Sequence, residues 1–197
     1  MTDLLQVAKL DLTGSLSRER FEAAFFDSFS ELSSSRLIRD LWFWDVPARR
    51  LSTRIPYEDQ WIFAACLPEG DVLGAIAVNV AMKDFQSATF GFMPPSDTAG
   101  CFEVVVAFNR TDSDQGVSHR VWRETARVLI ESGFRTGFAT CAPRPFHRYR
   151  RAGWKLIDQV EVGGEQRLFL TVDFADRSRE RLVDTLGGHG SSTNCAP

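Results

Sequence analysis

Several features that would point to a particular class of protein are scarce or missing in this sequence. The four cysteines include no CxxC pair, so neither a disulfide framework nor a zinc site is indicated, and we expect reduced thiols. The three histidines share no metal-ligand spacing, so no metal is assigned. No apolar run reaches the roughly 18 residues of a transmembrane helix, and the N-terminus lacks the regions of a signal peptide. We therefore expect a cytoplasmic protein without a membrane partner.

An excess of charge of one sign is missing as well. The net charge is −3 over 197 residues, which gives no overall reason to expect DNA as a partner. Hydrophobic residues make up 44% of the chain, which is enough for a single domain with a substantial core. We predict one domain at residues 1–186 and a flexible polar tail at 187–197.

The strongest pattern lies in the middle of the chain and predicts alternating strands and helices. The valine-rich run at 102–108 is typical of a buried central strand. Residues 118–132 place apolar side chains on one helical face, and Gly133 follows where a helix commonly ends. A short strand at 137–141 and a helix at 146–151 complete the unit. A crossover of this kind aims the N-terminus of its helix at the carboxyl end of the central strand, where anionic groups bind favourably.

The flanking segments predict the rest of a sheet with helices packed on it. Ser17 is predicted to cap a first helix whose apolar face includes Phe21 and Phe25. A second helix is expected at 36–44. The remaining predictions are strands at 6–12, 60–67, 72–82, 155–162 and 165–174, a loop at 83–100 and a short helix at 176–186.

The most specific motif lies at the end of the helix predicted at 146–151. Tyr149, followed by Gly153 and Trp154, reproduces the pattern Tyr-x-x-x-Gly-aromatic. Together with the order strand, loop, helix, strand and helix, this segment resembles the GCN5-related N-acetyltransferase (GNAT) superfamily, which moves acyl groups from thioesters to amines. The run Arg151-Ala152-Gly153-Trp154 is also similar to a helix end in acyl-homoserine-lactone synthases.

The resemblance covers roughly residues 60–174 and implies a fold and a cleft. The expected fold class is α/β (α+β), with a GNAT-like mixed, mostly antiparallel sheet of six or seven strands and helices on both faces. The sheet is expected to splay at its centre, between the strand at 102–108 and the strand at 137–141. The acyl donor would enter at that splay.

The resemblance also implies two catalytic groups. Tyr149 is the candidate acid, because a phenol with a pKa near 10 stays protonated at neutral pH and can donate to a leaving thiolate. The alternative is a tyrosine that only packs under the sheet. Glu103, at the start of the central strand, is the candidate general base, acting directly or through water. Its alternative is a structural role at the strand end or in a pair with an arginine.

The donor implied by the resemblance is acyl-CoA or another phosphopantetheine thioester, used as a co-substrate and not as a tightly bound cofactor. The family loop Arg/Gln-x-x-Gly-x-Gly/Ala is reduced here to one glycine, and the family's coenzyme-contacting asparagine is replaced by Ala142. The residues implied in donor binding are Val105, Val106, Phe108, Gln115, Gly116, Val117, Ser118, His119, Arg120 and Arg148.

A basic cluster bears on the identity of the donor. Residues 101–155 hold ten Lys and Arg against five Asp and Glu, although the whole chain is acidic. Such a cluster suits the 3′-phosphate of coenzyme A, an acidic acyl carrier protein or the phosphates of an aminoacyl-tRNA. The tRNA ranks third, because no aromatic residues interleave the cluster. A binding module that has lost catalysis is the fourth alternative, and a solvated helix face is the simple explanation of the cluster.

The acceptor implied is the amine of a small molecule, in specialised biosynthesis. Its predicted wall consists of Phe25, Phe29, Trp42 and Trp44, with packing on the sheet as the favoured alternative. Cys141 is expected to face the same cleft and could form an acyl-cysteine, although a small buried thiol is favoured. We expect a monomer or a homodimer.

Overall fold

A computed structural model describes residues 5–12, 14–31, 36–110 and 116–175. Its strands are β1 (Gln6–Lys9), β2 (Trp42–Asp45), β3 (Arg50–Thr53), β4 (Gln60–Cys66), β5 (Val72–Asn79), β6 (Cys101–Asn109), β7 (Thr136–Cys141), β8 (Lys155–Val162) and β9 (Glu165–Asp173). Its α-helices are α1 (Ser15–Phe29), α2 (Arg36–Leu41), α3 (Val117–Glu131) and α4 (Phe146–Arg151), and short 3-10 helices lie at Tyr57–Asp59 and Gln86–Phe90.

Seven of these strands form one sheet in the order β1-β4-β5-β6-β7-β9-β8. Short turns with glycines at positive φ, such as Gly70 and Gly164, join β4 to β5 and β8 to β9, so these pairs are antiparallel. β6 continues to β7 through α3, and this crossover makes the two strands parallel. The remaining neighbours are antiparallel. The predicted mixed, mostly antiparallel sheet is confirmed.

The parallel pair is the one that opens. β6 and β7 stay in register over four residue pairs, of which the last is Val104 opposite Ala139. On its other side β6 remains paired with β5 as far as Asn109, with a bulge that leaves Val105 out of the register. The second half of β6 therefore has no partner in β7, and the predicted splay is confirmed. We call the point where the two strands part the fork.

The helices α1 and α3 cover opposite faces of the sheet, as predicted. Phe21 and Phe25 of α1 are fully buried in one core cluster, and Val121 and Leu129 of α3 are buried in the other. Burial of each of these side chains contributes on the order of 2 kcal/mol. Both helices have 15 residues. Within the described ranges, no helix has the length and apolar character needed to cross a bilayer.

The helix predicted at 36–44 is wrong in its second half. α2 ends at Leu41, and the next four residues form β2, which pairs with β3. Trp42 is buried, Phe43 is exposed and Trp44 is half-buried, which is the alternation typical of a strand. Consecutive aromatic residues fit a pleated strand well, and pairing with β3 decides the conformation.

Most other boundaries agree with the predictions within a few residues. β1 is shorter than the predicted strand at 6–12. α1 begins at Ser15 and has Gly14 as its N-cap, so Ser17 lies inside the helix and the predicted cap is wrong. The helix predicted at 176–186 and the tail at 187–197 lie outside the described residues.

The closed half of the β6–β7 pair, which is the segment of four paired residues, has no room for a side chain at Gly137. A Cβ atom added there would overlap the Phe102 ring and lie 2.8 Å from a methyl group of Val172. We expect Gly137→Ala to lower the free energy of unfolding by about 1–3 kcal/mol, because the ring must move within a packed core. Urea denaturation measures the change.

The control is Gly14→Ser, at a position where an added Cβ has no neighbour within 4 Å. Serine is a good N-cap, so this variant should stay within about 0.5 kcal/mol of the parent. Equal stability of the two variants would contradict the tight packing of the closed half.

Candidate active site

The fork is covered on its α1 side by the 3-10 helix Gln86–Phe90, which we call the fork helix. Phe85, just before it, is buried in the core on this side, and Gly91, with a φ of 86°, ends it. The side-chain amide of Gln86 donates a hydrogen bond of 2.8 Å to the Val105 carbonyl. The bulged residue of β6 is thereby tied to the fork helix at the point where the strands part.

Glu103 lies on β6 beneath the fork helix and has no exposed surface. Its carboxylate accepts hydrogen bonds from the backbone N–H groups of Gln86 and Ser87, both at 2.8 Å, and from the Ser87 hydroxyl at 2.6 Å. Burial raises the pKa of Glu103 to about 7, and its hydrogen bonds, including one from Asn79, limit the rise. A carboxyl group that titrates near neutral pH suits a general base. Its predicted role as the base stays a prediction.

The Ser87 hydroxyl also contacts Thr140, the first residue of β7 beyond the paired segment. The two hydroxyl oxygens are 2.6 Å apart. Ser87 is 1% exposed, whereas Thr140 is half-buried. A continuous row of hydrogen bonds therefore runs from Glu103 through Ser87 to the edge of β7 at the fork.

Tyr149 lies in α4 and packs on the α3 side of the sheet. Its ring meets Trp154 edge-on, with centroids 5.7 Å apart and an interplanar angle of 84°. Burial, and to a smaller extent the neighbouring Cys141, raises the pKa of Tyr149 above its ordinary value, so the phenol keeps its proton at neutral pH. The acid role requires that state and stays a prediction. Tyr149 and Glu103 lie on opposite faces of the sheet.

Cys141 ends β7 and is 7% exposed. Burial raises the pKa of its thiol to about 12, and the charge of Arg167 only partly opposes this rise. The thiolate, which is the nucleophilic form, is therefore scarce near neutral pH. This environment favours the small buried thiol over an acyl-cysteine intermediate.

The N-terminus of α3 follows the open end of β6. Gly116 is the N-cap and has a φ of 72°, a conformation that suits glycine. The first N–H groups of an α-helix have no partner within the helix, and together with the helix dipole they favour an anion. Of the predicted donor loop, Val117 is buried, Arg120 is half-buried, Gly116, Ser118 and His119 are exposed, and Gln115 lies outside the described residues.

The three β6 residues predicted to bind the donor could do so only through their backbone groups. Val105, Val106 and Phe108 are between 3% and 8% exposed and pack into the core on the α1 side. Their side chains are therefore turned away from a ligand held between the strands. The fork offers such a ligand the backbone edge of β6, on which Gln86 already holds the Val105 carbonyl.

The aromatic residues of the predicted acceptor wall form part of the core. Phe25 stacks on Phe108 with centroids 5.7 Å apart and nearly parallel rings, and it meets Trp42 edge-on at 4.9 Å. Phe25 is 0% exposed and Trp42 is 5% exposed, which agrees with packing on the sheet. Phe29 and Trp44 are half-buried and keep some surface for an acceptor.

The basic cluster is confirmed as a surface feature on and around α4. All of its members are exposed, namely Arg144, His147, Arg148, Arg150, Arg151 and Lys155. Because α4 follows the end of β7, the cluster lies on the chain directly after the fork.

Four residues near the fork are absent from the sequence predictions. The loop predicted at 83–100 contains Gln86 and Ser87, and nothing in its composition distinguishes them. Thr140 lies in a predicted strand without a predicted role. Arg167 of β9 is 8% exposed, binds Glu165 at 2.6 Å and lies 5.8 Å from the centre of the Phe90 ring. Their partners come from other elements, which a local pattern does not show.

The surface also has a groove that lies away from the fork. A groove of about 570 Å³ runs beside β1 and is lined by Lys9, Arg18, Tyr57, Glu58 and Gln60 among others. Apart from Glu58, which is a weaker candidate than Glu103 for the general base, it contains none of the predicted site residues, and β1 lies three strands away from β6. Among the residues that the structure describes, no group of His, Cys, Asp or Glu side chains is arranged to hold a metal ion.

No protein-family model and no curated protein matches this chain. Among solved structures, MesI, a CoA-dependent acyl-homoserine lactone synthase, is 17% identical with a TM-score of 0.70, over 94% of this chain and 97% of that chain. BjaI, a second CoA-dependent acyl-homoserine lactone synthase, solved with SAM and isopentyl-CoA, is 17% identical with a TM-score of 0.71, over 93% and 90%. A chain from Desulfovibrio desulfuricans assigned to the GNAT acetyltransferase family is 15% identical with a TM-score of 0.52, over 86% and 98%.

These likenesses establish the fold. The chain has the GNAT-like architecture that the resemblance predicts, and solved structures of this architecture include acyl-homoserine lactone synthases as well as acetyltransferases.

Glu103 gives the free energy of unfolding a pH dependence whose sign follows from its raised pKa. Between the ordinary pKa of 4.5 and about 7, the folded chain keeps a proton that the unfolded chain has lost. The free energy of unfolding therefore falls by roughly 3 kcal/mol as the pH rises through this window, as expected for a shift of this size. Above the window the contribution of Glu103 is constant. We expect Glu103→Gln to remove this fall.

Urea denaturation across this pH range checks the expectation, and the difference between parent and variant isolates Glu103. The exposed Glu161→Gln is the matched control and should follow the parent. Parallel curves for the parent and Glu103→Gln would contradict the buried, shifted carboxyl group.

Proposed function

We propose that this chain is an acyltransferase that moves an acyl group from acyl-CoA to the amine of a small molecule. The observation that carries the proposal is the fork itself, an opening between parallel strands with a buried carboxylate of pKa about 7 beneath it. The likeness to two CoA-dependent acyl-homoserine lactone synthases supports it. We place the reaction in the cytoplasm and in specialised biosynthesis as part of the same proposal.

The reaction proceeds in a ternary complex. The amine attacks the thioester carbonyl, Glu103 receives the proton that the amine must lose, and Tyr149 protonates the leaving thiolate. The two groups lie on opposite faces of the sheet, so the acceptor would lose its proton toward the α1 side and the thiolate would meet Tyr149 on the α3 side. No acyl-enzyme is needed, which agrees with the protonated state of Cys141.

The donor is held by backbone groups and by positive charge. The free edge of β6 would bind the pantetheine arm, and the N-terminus of α3 at Gly116–Arg120 would receive the phosphates. Arg148 and its basic neighbours would meet the 3′-phosphate. The exposure of that whole cluster also favours a second candidate, in which the donor is an acyl carrier protein with an acidic surface.

Thermal unfolding in the presence of acetyl-CoA and longer acyl-CoAs tests the donor. A ligand at 100 times its Kd should add about 2.7 kcal/mol to the stability. Binding of an acylated carrier protein that is lost when Arg148, Arg150 and Arg151 become Ala would favour the carrier, and salt-sensitive binding of aminoacyl-tRNA would favour the tRNA. If no donor binds, the chain is a non-catalytic module and the proposal is overturned.

The acceptor is tested with a panel of small amines in the presence of the donor that binds. SAM belongs in the panel because BjaI has been solved with it. Formation of an acylated amine with release of the free thiol is the expected result.

Tyr149→Phe should lower kcat by about 10²-fold, with little change in KM for the donor, because a proton donor acts in the transition state. A donor thioester with a strongly acidic thiol should restore most of the rate, since its thiolate leaves without a proton. The other tyrosine provides the control. Tyr57 donates to Glu22 at 2.7 Å, so Tyr57→Phe should cost about 1 kcal/mol of stability and leave kcat unchanged. Unchanged turnover in Tyr149→Phe would remove the proposed acid.

A further inference from the structure

Glu103 has no exposed surface and does not reach an acceptor at the fork. The proposed function assigns it the proton of the acceptor amine, so that proton must pass through another group. We infer that the hydroxyls of Ser87 and Thr140 carry the proton to Glu103, with Thr140 as the residue that contacts the amine. This inference rests on the proposed function and adds two residues to its mechanism.

Among the groups that contact Glu103, Ser87 is the one that can pass a proton to it. The other hydrogen bonds to the carboxylate come from backbone N–H groups and from the amide of Asn79, which do not exchange protons readily. The Ser87 oxygen lies 2.6 Å from the carboxylate and 2.6 Å from the Thr140 oxygen. Both distances are at the short end of the range for hydroxyl hydrogen bonds, so the two bonds form one path.

The direction of the hydrogen bonds follows from the ionised state of Glu103. A carboxylate can only accept, so Ser87 directs its hydrogen at Glu103. Ser87 then offers Thr140 only lone pairs, and Thr140 must donate to Ser87. The remaining lone pairs of Thr140 are left to accept a hydrogen from a group outside the row. An ionised Glu103 therefore makes Thr140 an acceptor for an ammonium group.

Thr140 lies where such a group would bind. It is the first β7 residue beyond the last pair, Val104 opposite Ala139, so it stands at the mouth of the fork. Its hydroxyl faces the α1 side, because it contacts Ser87 of the fork helix. It is half-buried, whereas both other members of the row are buried. It is thus the member of the row that an acceptor can reach.

The electrostatic surroundings leave Glu103 as the titrating member of the row. The groups that face it from β5 and the fork helix are neutral, namely Asn79, Gln86 and Ser87. Along β6, burial raises the pKa of the Cys101 thiol, so it stays protonated near neutral pH. Burial raises the pKa of Glu103, the neutral hydrogen-bond donors limit this rise, and no charged group contributes to the shift. If the reaction rate depends on proton transfer along this row, its pH dependence therefore reflects the titration of Glu103.

The step conserves bonds and protons. The ammonium gives one proton to Thr140 as Thr140 passes its own to Ser87 and Ser87 passes its own to Glu103. The neutral amine nitrogen forms a bond to the thioester carbonyl carbon, the carbon–sulfur bond breaks, and the thiolate takes the proton of Tyr149. The nitrogen gives its second proton to solvent as the amide forms. After the products leave, Glu103 returns its proton to solvent and Tyr149 recovers one.

The test compares Thr140→Val, which lacks the hydroxyl at nearly the same volume, with Thr140→Ser, which keeps it. Thr140→Val and Ser87→Ala should lower kcat for amine acylation by about 10²-fold, and Thr140→Ser should retain most of the rate. Acyl-CoA binding, followed by thermal shift, should be unchanged in Thr140→Val and Thr140→Ser. The wild-type rate should rise with pH through about 7, and Thr140→Val should lose this rise. A merely structural role would lower the rate without changing the pH profile.

Rates in mixtures of H₂O and D₂O give a second readout. Several protons move together in the relay, so kcat should curve with the deuterium fraction in the wild type and in Thr140→Ser. A linear dependence in the wild type, or a Thr140→Val variant with wild-type rate and pH profile, overturns the relay while acyl transfer stands. A wild type that binds no acyl donor and acylates no amine overturns the proposed function and the relay with it.

Discussion

The hydrogen bonds to the Glu103 carboxylate hold the parts of the candidate site together. An ionised carboxylate without partners inside a protein costs several kcal/mol. Here the donors that offset this cost come from Gln86, Ser87 and Asn79. The acid on β6 therefore fixes the fork helix over the sheet, and Gln86, through the Val105 carbonyl, fixes the bulge. The shape of the fork follows from the need to satisfy one buried acid.

The opening of the fork has a cost of its own, and that cost points to a ligand. Beyond Val104, β6 lacks the backbone hydrogen bonds that β7 would supply on this side. Backbone groups without partners are unfavourable away from water. Gln86 satisfies the Val105 carbonyl, and residues 106–108 of β6 face no β7 residue. The pantetheine arm of coenzyme A carries amides of its own and can pair with such an edge as an added strand does.

The parts of this structure that the sequence predicts are those with local causes. A valine-rich run and the spacing of apolar residues specify β6, α3, β7 and α4, and these elements agree with the predictions within one residue. The fork helix has a non-local cause, because Ser87 meets Glu103 across 16 residues and Thr140 across 53. β2 is ambiguous for a related reason. A run of aromatic residues fits a helix face or a strand until its pairing with β3 decides between them.

Burial acts on three titratable groups around the fork, and it leaves one able to exchange a proton near neutral pH and the other two protonated. It raises the pKa of Glu103 from 4.5 to about 7, that of Cys141 from 9.0 to about 12, and that of Tyr149 above its ordinary 10.0. The direction is the same because each group loses the water that would stabilise its charged form. The starting values differ, so the carboxyl group can exchange a proton near neutral pH, whereas the thiol and the phenol keep theirs. Burial thus leaves the carboxyl group in the state that the proposed base needs and the phenol in the state that the proposed acid needs, and it keeps the thiol from acting as a nucleophile.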